Sequence, residues 1–165
     1  MKKIAIFASG SGTNAQNIIS FFKRDSSAQV SLVLSNSPKA IVLDRARRHK
    51  IRTCVFDRKQ FVSEKGVLKI LQAYHIDLLV LAGFLWKLPK ILLSHYVGNT
   101  INIHPSLLPK YGGRGMYGKH VHSAVVANKE RESGITIHHV NEHYDDGAII
   151  FQAKCRILES DTAED

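Results

Sequence analysis

The sequence predicts an α/β fold with a Rossmann-like N-terminal half of parallel strands that continues into a mixed sheet. In the first half, short apolar runs alternate with helix-like segments, an order typical of right-handed βαβ units. In the second half, two strand-like segments lie too close in sequence for a helical crossover, which favours antiparallel pairing. A chain of 165 residues suffices for a sizeable core, so we expect a single domain over residues 1–165.

Seven elements are predicted in the first half. Residues 3–8 form a nearly continuous apolar run, as expected of a buried parallel strand, and residues 13–22 form a helix. A helix is also predicted over residues 60–74, with apolar positions at Val62, Val67, Leu68, Ile70 and Leu71. The remaining elements are strands over residues 30–34, 52–56 and 77–82 and a helix over residues 38–50.

The second half is less regular. A short helix over residues 89–95 precedes a strand over residues 98–104. Residues 110–119 are predicted to form a flexible loop, because four glycines fall within it: Gly112, Gly113, Gly115 and Gly118. A helix over residues 120–128 follows, and then two strands over residues 134–140 and 148–157, joined by a turn-rich acidic loop.

The formal net charge of +9 favours anionic partners such as phosphorylated metabolites, a polyglutamylated cofactor or nucleic acid. Basic residues cluster in and after the second predicted helix, at Arg45, Arg47, Arg48, Lys50 and Arg52. We interpret this cluster as solvated surface, because no nucleic-acid-binding motif accompanies it. We therefore expect no nucleic-acid partner.

The sequence also bounds the location of the protein. No apolar run is long enough to span a membrane, and the apolar run after Met1 is too short for a signal peptide. We expect a cytoplasmic protein with no membrane partner, either monomeric or weakly homodimeric. The two cysteines, Cys54 and Cys155, are expected to be buried thiols in a reducing compartment.

Asn102 and His104 form a candidate catalytic pair. In an extended strand they share a face, roughly 7 Å apart, whereas Ile101 and Ile103 point the other way into a core. Pro105 cannot donate a ladder hydrogen bond, so it places His104 at the carboxyl end of the strand, where open α/β sheets keep ligand sites. Imidazole can act as a general acid or base, and an amide can donate to a developing oxyanion. On spacing alone, a structural histidine beside a turn amide is an equal alternative.

Residues 8–14, here called the glycine loop, follow the first strand and open the first helix. Glycines let the backbone approach an anion, and the free N–H groups at the helix start can bind it. A dinucleotide site fits poorly, because Ala15 stands where the pattern needs its third glycine, and no acidic residue ends the second strand. We predict a monophosphate site, with a plain strand–helix turn as the alternative.

The segment Asn102–Pro109, Asn-Ile-His-Pro-Ser-Leu-Leu-Pro, resembles the signature of the 10-formyltetrahydrofolate-dependent formyltransferases. The resemblance covers nearly the whole chain and is greatest to members that act on glycinamide ribonucleotide. It implies transfer of the formyl group of 10-formyltetrahydrofolate, a co-substrate, to the amine of that nucleotide in purine biosynthesis. It also implies that Asn102 and His104 are catalytic.

The resemblance implies a third catalytic residue in the segment His138–Gly147, which is similar to a family segment ending in Asp-Gly-Gly. Alignment places Asp145 on the catalytic aspartate, and Asp146 stands where the family has a glycine. A carboxylate near His104 would favour the imidazolium form and hold a water for proton transfer. A turn-forming acid is the alternative reading of Asp145.

The resemblance also implies binding residues. The family carries a similar Ser-Gly-x-Gly-[Ser/Thr]-Asn loop, so Gly12, Thr13 and Asn14 are expected to contact the substrate phosphate. Residues 82–88 are similar to an Ala-Gly-Phe-Met-Arg segment whose backbone lines the pterin pocket. The expected cofactor-binding residues are therefore Leu85, Trp86, Lys87, Leu88 and Asn102. Ordinary packing is the alternative reading of this segment, in which Leu85 and Trp86 stand at the Met and Arg positions.

Several alternatives stay open. Methionyl-tRNA formyltransferase needs a C-terminal RNA-binding domain and formyltetrahydrofolate hydrolase an N-terminal regulatory domain, and we expect neither here. A non-catalytic folate- or nucleotide-binding module is conceivable, because family members continue beyond Asp165 with a helix that contributes ribose or phosphate contacts. Residues 112–118 are interpreted either as a lid or as a tolerated surface loop. No metal is expected, because the candidate ligands lack partners at zinc spacing: His120, His122, His138 and His139.

Overall fold

The apolar runs at the start of the chain form parallel β-strands, and most of their side chains are buried. The computed structural model describes residues 1–165 and divides them into a first unit, Met1–Thr100, and a second unit, Ile101–Asp165. The strands of the first unit are β1 (Lys2–Phe7), β2 (Ala28–Ser35), β3 (Arg52–Val55) and β4 (Leu78–Ala82). They pair in parallel in the order β3-β2-β1-β4. The prediction of a Rossmann-like N-terminal half is therefore confirmed.

Helices connect these strands. The first unit contains α1 (Thr13–Phe22), α2 (Ile41–Arg48), α3 (Arg58–Val62), α4 (Lys69–Ala73) and α5 (Lys90–His95). The bounds of α1 agree with the prediction, whereas α2 begins later than predicted because residues 38–39 form a turn before it. None of the helices in the chain combines the length and the apolar composition that a membrane crossing requires.

The single helix predicted over residues 60–74 is wrong. Asp57 instead starts the helix α3, because its carboxylate accepts a hydrogen bond from the Gln60 N–H at 2.7 Å. The Gln60 side chain in turn accepts from the Asp57 N–H at 3.0 Å, which completes a capping box. The helix begins two residues earlier than predicted and is only five residues long.

The break after α3 lies at Ser63, whose backbone is extended with φ −90° and ψ 139°. The Ser63 hydroxyl then caps a π-helical turn, Glu64–Leu68, that leads into α4. Gly66 is required in this turn, because a Cβ there would lie 1.9 Å from the carbonyl oxygen of Gln60. The break also leaves Val62 exposed, contrary to its predicted place on an apolar face.

The core of the first unit consists of large apolar side chains from the strands and the helices. Fully buried members include Ile6, Phe7, Leu34, Leu43, Phe61 and Leu79. An aromatic cluster, formed by Phe7, Phe56, Phe61, Phe84 and Trp86, extends this core toward the segment that follows β4. The rings of Phe56 and Phe61 are stacked with centroids 5.0 Å apart, and edge contacts join the others.

The second unit is built on antiparallel strands. Its elements are β5 (Thr100–His104, beginning at the unit boundary), α6 (Lys119–Ala127), β6 (Glu132–His139) and β7 (Ile149–Arg156). Strand β6 pairs antiparallel with both β5 and β7, which confirms the predicted pairing of the last two strands. Val121 and Val125 of α6 are buried.

Both cysteines are free thiols, but they are not both buried. Cys54 on β3 is partly buried, and its burial raises the pKa of its thiol. Cys155 on β7 is exposed. The expectation of buried thiols is therefore wrong for Cys155, because β7 pairs on one side only, with β6, and its last three residues, Lys154–Arg156, are all exposed.

Candidate active site

His104 is the last residue of β5, and Pro105 follows it, so the strand ends where the sequence predicts. The His104 side chain is buried, with 3% of the residue exposed. Asn102 lies on the same face of the strand, two residues earlier. Ile101 and Ile103 are only partly buried, so the expectation that they anchor the strand in a core is not met. The face of β5 that carries Asn102 and His104 is therefore more buried than the face that carries Ile101 and Ile103.

Asp145 lies in the turn that joins β6 and β7, and its backbone is left-handed, with φ +52°. Aspartate tolerates this conformation better than most residues do. Its Oδ1 atom lies 3.5 Å from Nδ1 of His104 and 3.3 Å from Nδ2 of Asn102. The structure therefore brings together the three predicted catalytic side chains, here called the catalytic cluster.

A fourth side chain, His138, completes this cluster and was not predicted to take part in it. It stands opposite Asn102 in the β5–β6 pairing and is 2% exposed. Its Nδ1 lies 2.8 Å from the carbonyl oxygen of His139, which can only accept, so Nδ1 carries the hydrogen. In neutral His138, Nε2 is then an acceptor for Nδ2 of Asn102, which lies 3.0 Å away. In protonated His138, Nε2 carries a hydrogen and faces Oδ1 of Asp145 at 3.6 Å.

A sequence signal for His138 did exist. Antiparallel pairing of the strand that carries Asn102 with the strand that follows α6 brings side chains of the two strands together in cross-strand pairs. His138 is the histidine of the adjacent pair that shares the face of Asn102, and His139 occupies the other face. The pairing register, which fixes this choice, could not be derived from the sequence.

The tautomer of His104 follows from its other contact. Nε2 lies 2.8 Å from the carbonyl oxygen of Tyr111, and a carbonyl can only accept a hydrogen bond. Nε2 therefore carries a hydrogen in both the neutral and the protonated ring. Nδ1, which faces Asp145, is then the atom that gains and loses the exchangeable proton.

Asp145 is held in its ionised form. Burial by itself raises the pKa of Asp145, but the neighbouring His138, the hydrogen bond from Gly113 and the His104 ring outweigh it. The net effect holds the pKa of Asp145 below its usual value. The Gly113 N–H donates to Oδ2 at 2.9 Å. The cluster therefore combines an ionised carboxylate, an imidazole and an amide donor.

The glycine loop of the first unit presents a helix start without a side-chain cap. Gly12 is the N-cap residue of α1 in a left-handed conformation, φ +72°, and no side chain hydrogen-bonds the first N–H groups of the helix. Thr13 and Asn14 occupy the first turn. The structure thus places the three predicted phosphate residues together, at a position where backbone N–H groups and the helix dipole favour an anion.

Three neighbouring elements fix the shape of this loop. The Ser9 N–H donates to the carbonyl of Gly83 at 3.0 Å, and its hydroxyl donates to Oδ1 of Asn36 at 2.7 Å. The Leu85 N–H donates to the same hydroxyl at 3.0 Å. Ser9 therefore joins the carboxyl ends of β1, β2 and β4, a role that sequence reasoning did not assign to it.

Helix α2 supports the loop from its other side. Val42 donates a backbone hydrogen bond to the carbonyl of Gly10 at 3.1 Å. Arg45 donates from Nε to the carbonyl of Ser11 and from Nη1 to Oε1 of Gln16, both at 2.8 Å. Arg45 was predicted to belong to a solvated basic surface, and this contact corrects that prediction. A guanidinium here also adds positive charge beside the helix start.

The predicted cofactor segment uses several of its side chains for packing. Trp86 belongs to the aromatic cluster, and the Arg58 guanidinium lies 4.3 Å from its ring centroid. Leu88 is buried in the first unit. Leu85 is 50% exposed, and Lys87 is also exposed. The packing interpretation therefore describes Trp86 and Leu88, and an apolar pocket floor made by their side chains is not observed.

The histidines that were considered as metal ligands do not lie together. His120 and His122 are exposed on α6, and His138 and His139 point to opposite faces of β6. No group of three or more histidine, cysteine or acidic side chains is arranged to hold a metal ion.

Comparison with known proteins places these features in a family. The family model described as formyl transferase matches residues 2–165. A phosphoribosylglycinamide formyltransferase of Haemophilus influenzae is 39% identical over 170 residues, which cover 100% of this chain and 78% of that protein. A chloroplastic phosphoribosylglycinamide formyltransferase of Vigna unguiculata is 38% identical over 169 residues, which cover 99% of this chain. The chain spans about half, 54%, of that plant relative's length.

Solved structures agree with this assignment. Phosphoribosylglycinamide formyltransferase from Bacillus halodurans superposes with a TM-score of 0.87 at 38% identity, over 99% of this chain and 84% of the other. Glycinamide ribonucleotide transformylase 1 from Symbiobacterium toebii gives a TM-score of 0.89 at 32% identity, over 99% of this chain and 77% of the other. The α/β fold class predicted from the sequence is thus confirmed.

Proposed function

The chain belongs to the formyl transferase family, and we propose that it transfers the formyl group of 10-formyltetrahydrofolate to the amine of glycinamide ribonucleotide. The observation that carries this proposal is the catalytic cluster, in which Asp145 lies within 3.5 Å of both Asn102 and His104. An amide, an imidazole and a carboxylate are the groups that acyl transfer to an amine requires: an oxyanion donor and a route for protons.

Asn102 and His104 stabilise negative charge in this mechanism. 10-Formyltetrahydrofolate supplies a formyl carbonyl that the substrate amine attacks, and the carbonyl oxygen gains negative charge in that step. Nδ2 of Asn102 donates to this oxygen without changing its own charge. Protonated His104 donates from Nδ1, because its Nε2–H is already used by the carbonyl of Tyr111.

Asp145 accepts and returns a proton in this mechanism. The attacking amine becomes more acidic as it forms the new C–N bond, and it must lose a proton, whereas the leaving nitrogen must gain one. Asp145 is ionised, so it can accept that proton through a water and return it to the leaving nitrogen.

The glycine loop binds the phosphate of the nucleotide. The uncapped N–H groups that follow Gly12 donate to phosphate oxygens, and Thr13 and Asn14 add side-chain donors. The contacts of Ser9 and Arg45 support this assignment, because they hold the loop in one conformation. A pre-organised loop loses less entropy on binding than a mobile one does.

The co-substrate contacts residues 85–88 mainly through their backbone. The side chains of Trp86 and Leu88 pack within the first unit, and the backbone of this segment is held at the Leu85 N–H. The exposed Leu85 side chain is the one apolar group of the segment that is available to a flat ring. Asn102 contributes the polar contact to the formyl group.

The enzyme is proposed to act in the cytoplasm, as a monomer or a weak homodimer and without nucleic acid. A bacterial relative named for a small-molecule substrate supports the last of these points. Sedimentation velocity over a range of concentrations would measure the oligomeric state.

An ultraviolet assay of folate-dependent formyl transfer tests the activity. Glycinamide ribonucleotide, methionyl-tRNA and water are offered as acceptors in separate reactions with 10-formyltetrahydrofolate. We expect transfer to glycinamide ribonucleotide alone. Folate binding without turnover for any acceptor would instead identify a non-catalytic binding module, and hydrolysis without an acceptor would identify a hydrolase.

A further inference from the structure

Two residues of one short loop segment hold both the imidazole and the carboxylate of the catalytic cluster. The Tyr111 carbonyl accepts from Nε2 of His104 at 2.8 Å, and two residues later the Gly113 N–H donates to Oδ2 of Asp145 at 2.9 Å. The first contact fixes the tautomer of His104, and the second orients Asp145. Any movement of this segment would disturb both groups together.

The segment adopts a backbone conformation that needs support. Tyr111 has φ +57°, in the left-handed region, which is unfavourable for a residue with a Cβ. Such a conformation persists only where surrounding contacts impose it. The preceding turn is anchored by buried Ser106, whose hydroxyl donates to the Lys110 carbonyl at 2.7 Å. That contact fixes Lys110 but does not reach the Tyr111 side chain.

Glu130 supplies the contact to Tyr111. It lies between α6 and β6, and its Oε1 accepts from the Tyr111 hydroxyl at 2.9 Å. The Lys110 ammonium lies 2.9 Å from Oε1 and 3.2 Å from Oε2 of the same carboxylate. We call these three residues the Glu130 cluster. One carboxylate thus holds two consecutive residues of the segment from outside the catalytic cluster.

We propose that Glu130 is a positioning residue for formyl transfer: it fixes Tyr111 so that the carbonyl of Tyr111 keeps His104 in its Nε2–H tautomer and Gly113 keeps Asp145 oriented. Its effect on turnover rests on the proposed function, whereas its effect on the tautomer does not. Glu130 contacts no reacting group in this scheme. It acts through the backbone of the segment that Tyr111 and Gly113 share.

The activity test compares three variants. Glu130→Ala is expected to lower kcat about tenfold, less than the ~100-fold that a displacement of ~1 Å at reacting groups can cause, with KM for glycinamide ribonucleotide nearly unchanged. Glu130→Gln keeps an acceptor for the Tyr111 hydroxyl and should recover part of that loss. Glu132→Ala is the matched control, because the Glu132 carboxylate pairs at the surface with the Lys154 ammonium at a distance of 2.8 Å and makes no hydrogen bond to Lys110 or Tyr111. It should keep the wild-type kcat.

The second test does not depend on activity. Nitrogen-15 NMR of the His104 ring, assigned with His104→Gln, should show the Nε2–H tautomer in the wild type and in Glu132→Ala. In Glu130→Ala the two tautomers should be mixed. If Glu130→Ala does not fold, Tyr111→Phe gives the same comparison, because it removes only the hydroxyl that Glu130 holds.

The outcomes distinguish the positioning role of Glu130 from the proposed formyl transfer. Wild-type tautomer and wild-type kcat in Glu130→Ala would overturn the positioning role. Mixed tautomers with unchanged kcat would overturn its catalytic consequence. If the wild type transfers no formyl group, the proposed function fails, and the NMR comparison alone decides whether Glu130 fixes the ring.

Discussion

Nδ2 of Asn102 lies 3.0 Å from Nε2 of His138 and 3.3 Å from Oδ1 of Asp145. The amide nitrogen has two hydrogens, and these two acceptors use both of them. To donate to a developing oxyanion, Asn102 must give up one acceptor, and its bond to Asp145 is the longer of the two. In the proposed mechanism, His138 keeps its hydrogen bond from the amide, and the second hydrogen of the amide becomes available to the substrate.

Removal of the imidazole should therefore reduce turnover more than binding. We expect His104→Ala to lower kcat at least a hundredfold, about the lower end of the loss for one oxyanion donor, and to leave KM for glycinamide ribonucleotide nearly unchanged. Steady-state kinetics by the ultraviolet assay measures both constants. His122→Ala, on the exposed face of α6, is the control. Near-wild-type kcat in His104→Ala would remove His104 from the mechanism.

A methyl group at position 12 should damage the glycine loop. A Cβ on Gly12 would lie 2.4 Å from Cγ2 of Val42, and its φ of +72° adds a cost of roughly 1–2 kcal/mol. We expect Gly12→Ala to weaken binding of glycinamide ribonucleotide at least about tenfold, since 1.4 kcal/mol corresponds to that factor. Isothermal titration calorimetry measures the affinity.

Gly10 provides the matched control for this substitution. A Cβ there meets no atom within 4 Å, and the Gly10 backbone lies outside the left-handed region. Gly10→Ala should therefore keep nearly wild-type affinity. Equal losses in Gly10→Ala and Gly12→Ala would mean that the conformation of Gly12 is not what the binding of phosphate requires.

Arg45 should contribute to phosphate binding through the loop that it holds. Arg45→Gln removes a charged donor from the carbonyl of Ser11, and we expect the affinity for glycinamide ribonucleotide to fall about tenfold. Arg47→Gln is the control on the same helix, because Arg47 pairs only with Asp44 at the exposed surface. Calorimetry with ribose 5-phosphate would show whether the loss is confined to the phosphate. Equal effects of the two substitutions would assign only general electrostatic attraction to Arg45.

The lowered pKa of Asp145 predicts a pH-dependent contribution to stability. Since the folded pKa lies below the unfolded value near 3.9, the unfolded chain binds more protons over that interval, and stability rises with pH there. The contribution is present above about pH 5 and is lost as the pH falls through the folded pKa. Urea unfolding of the wild type should therefore show a steeper loss on acidification than that of Asp145→Asn. Asp146→Asn, at the exposed neighbouring position, should follow the wild type; parallel curves for Asp145→Asn and the wild type would contradict the prediction.

The strands and the catalytic cluster were predictable to different degrees. Strands such as β1 and β4 can be recognised in the sequence as apolar runs, because burial on both faces excludes most polar residues. The helix break after α3 was missed, because it depends on a capping box at Asp57 and on the close approach of Gly66 to Gln60. Both contacts are local, and they depend on side-chain and backbone geometry that hydrophobic periodicity does not report.

In the catalytic cluster, the alternation of strand faces correctly paired Asn102 with His104. Asp145 was placed by family resemblance, since a turn acid carries no signal for a distant histidine. His138 was missed because its role depends on the register between β5 and β6, and a shift of one residue would have put His139 in its place. The contact of Arg45 with the glycine loop was missed, because Arg45 belongs in the sequence to a basic cluster whose other members are exposed.

Trp86 is the only tryptophan of the chain, and it stands in the aromatic cluster with Arg58 against its ring. All of the tryptophan fluorescence of the chain therefore originates in the segment proposed to receive the pteridine ring. Binding of the co-substrate beside this segment should therefore change the intensity of the indole emission, without any attached dye. Because Trp86 packs in the aromatic cluster, its emission provides an intrinsic optical signal for co-substrate titrations of the variants described above.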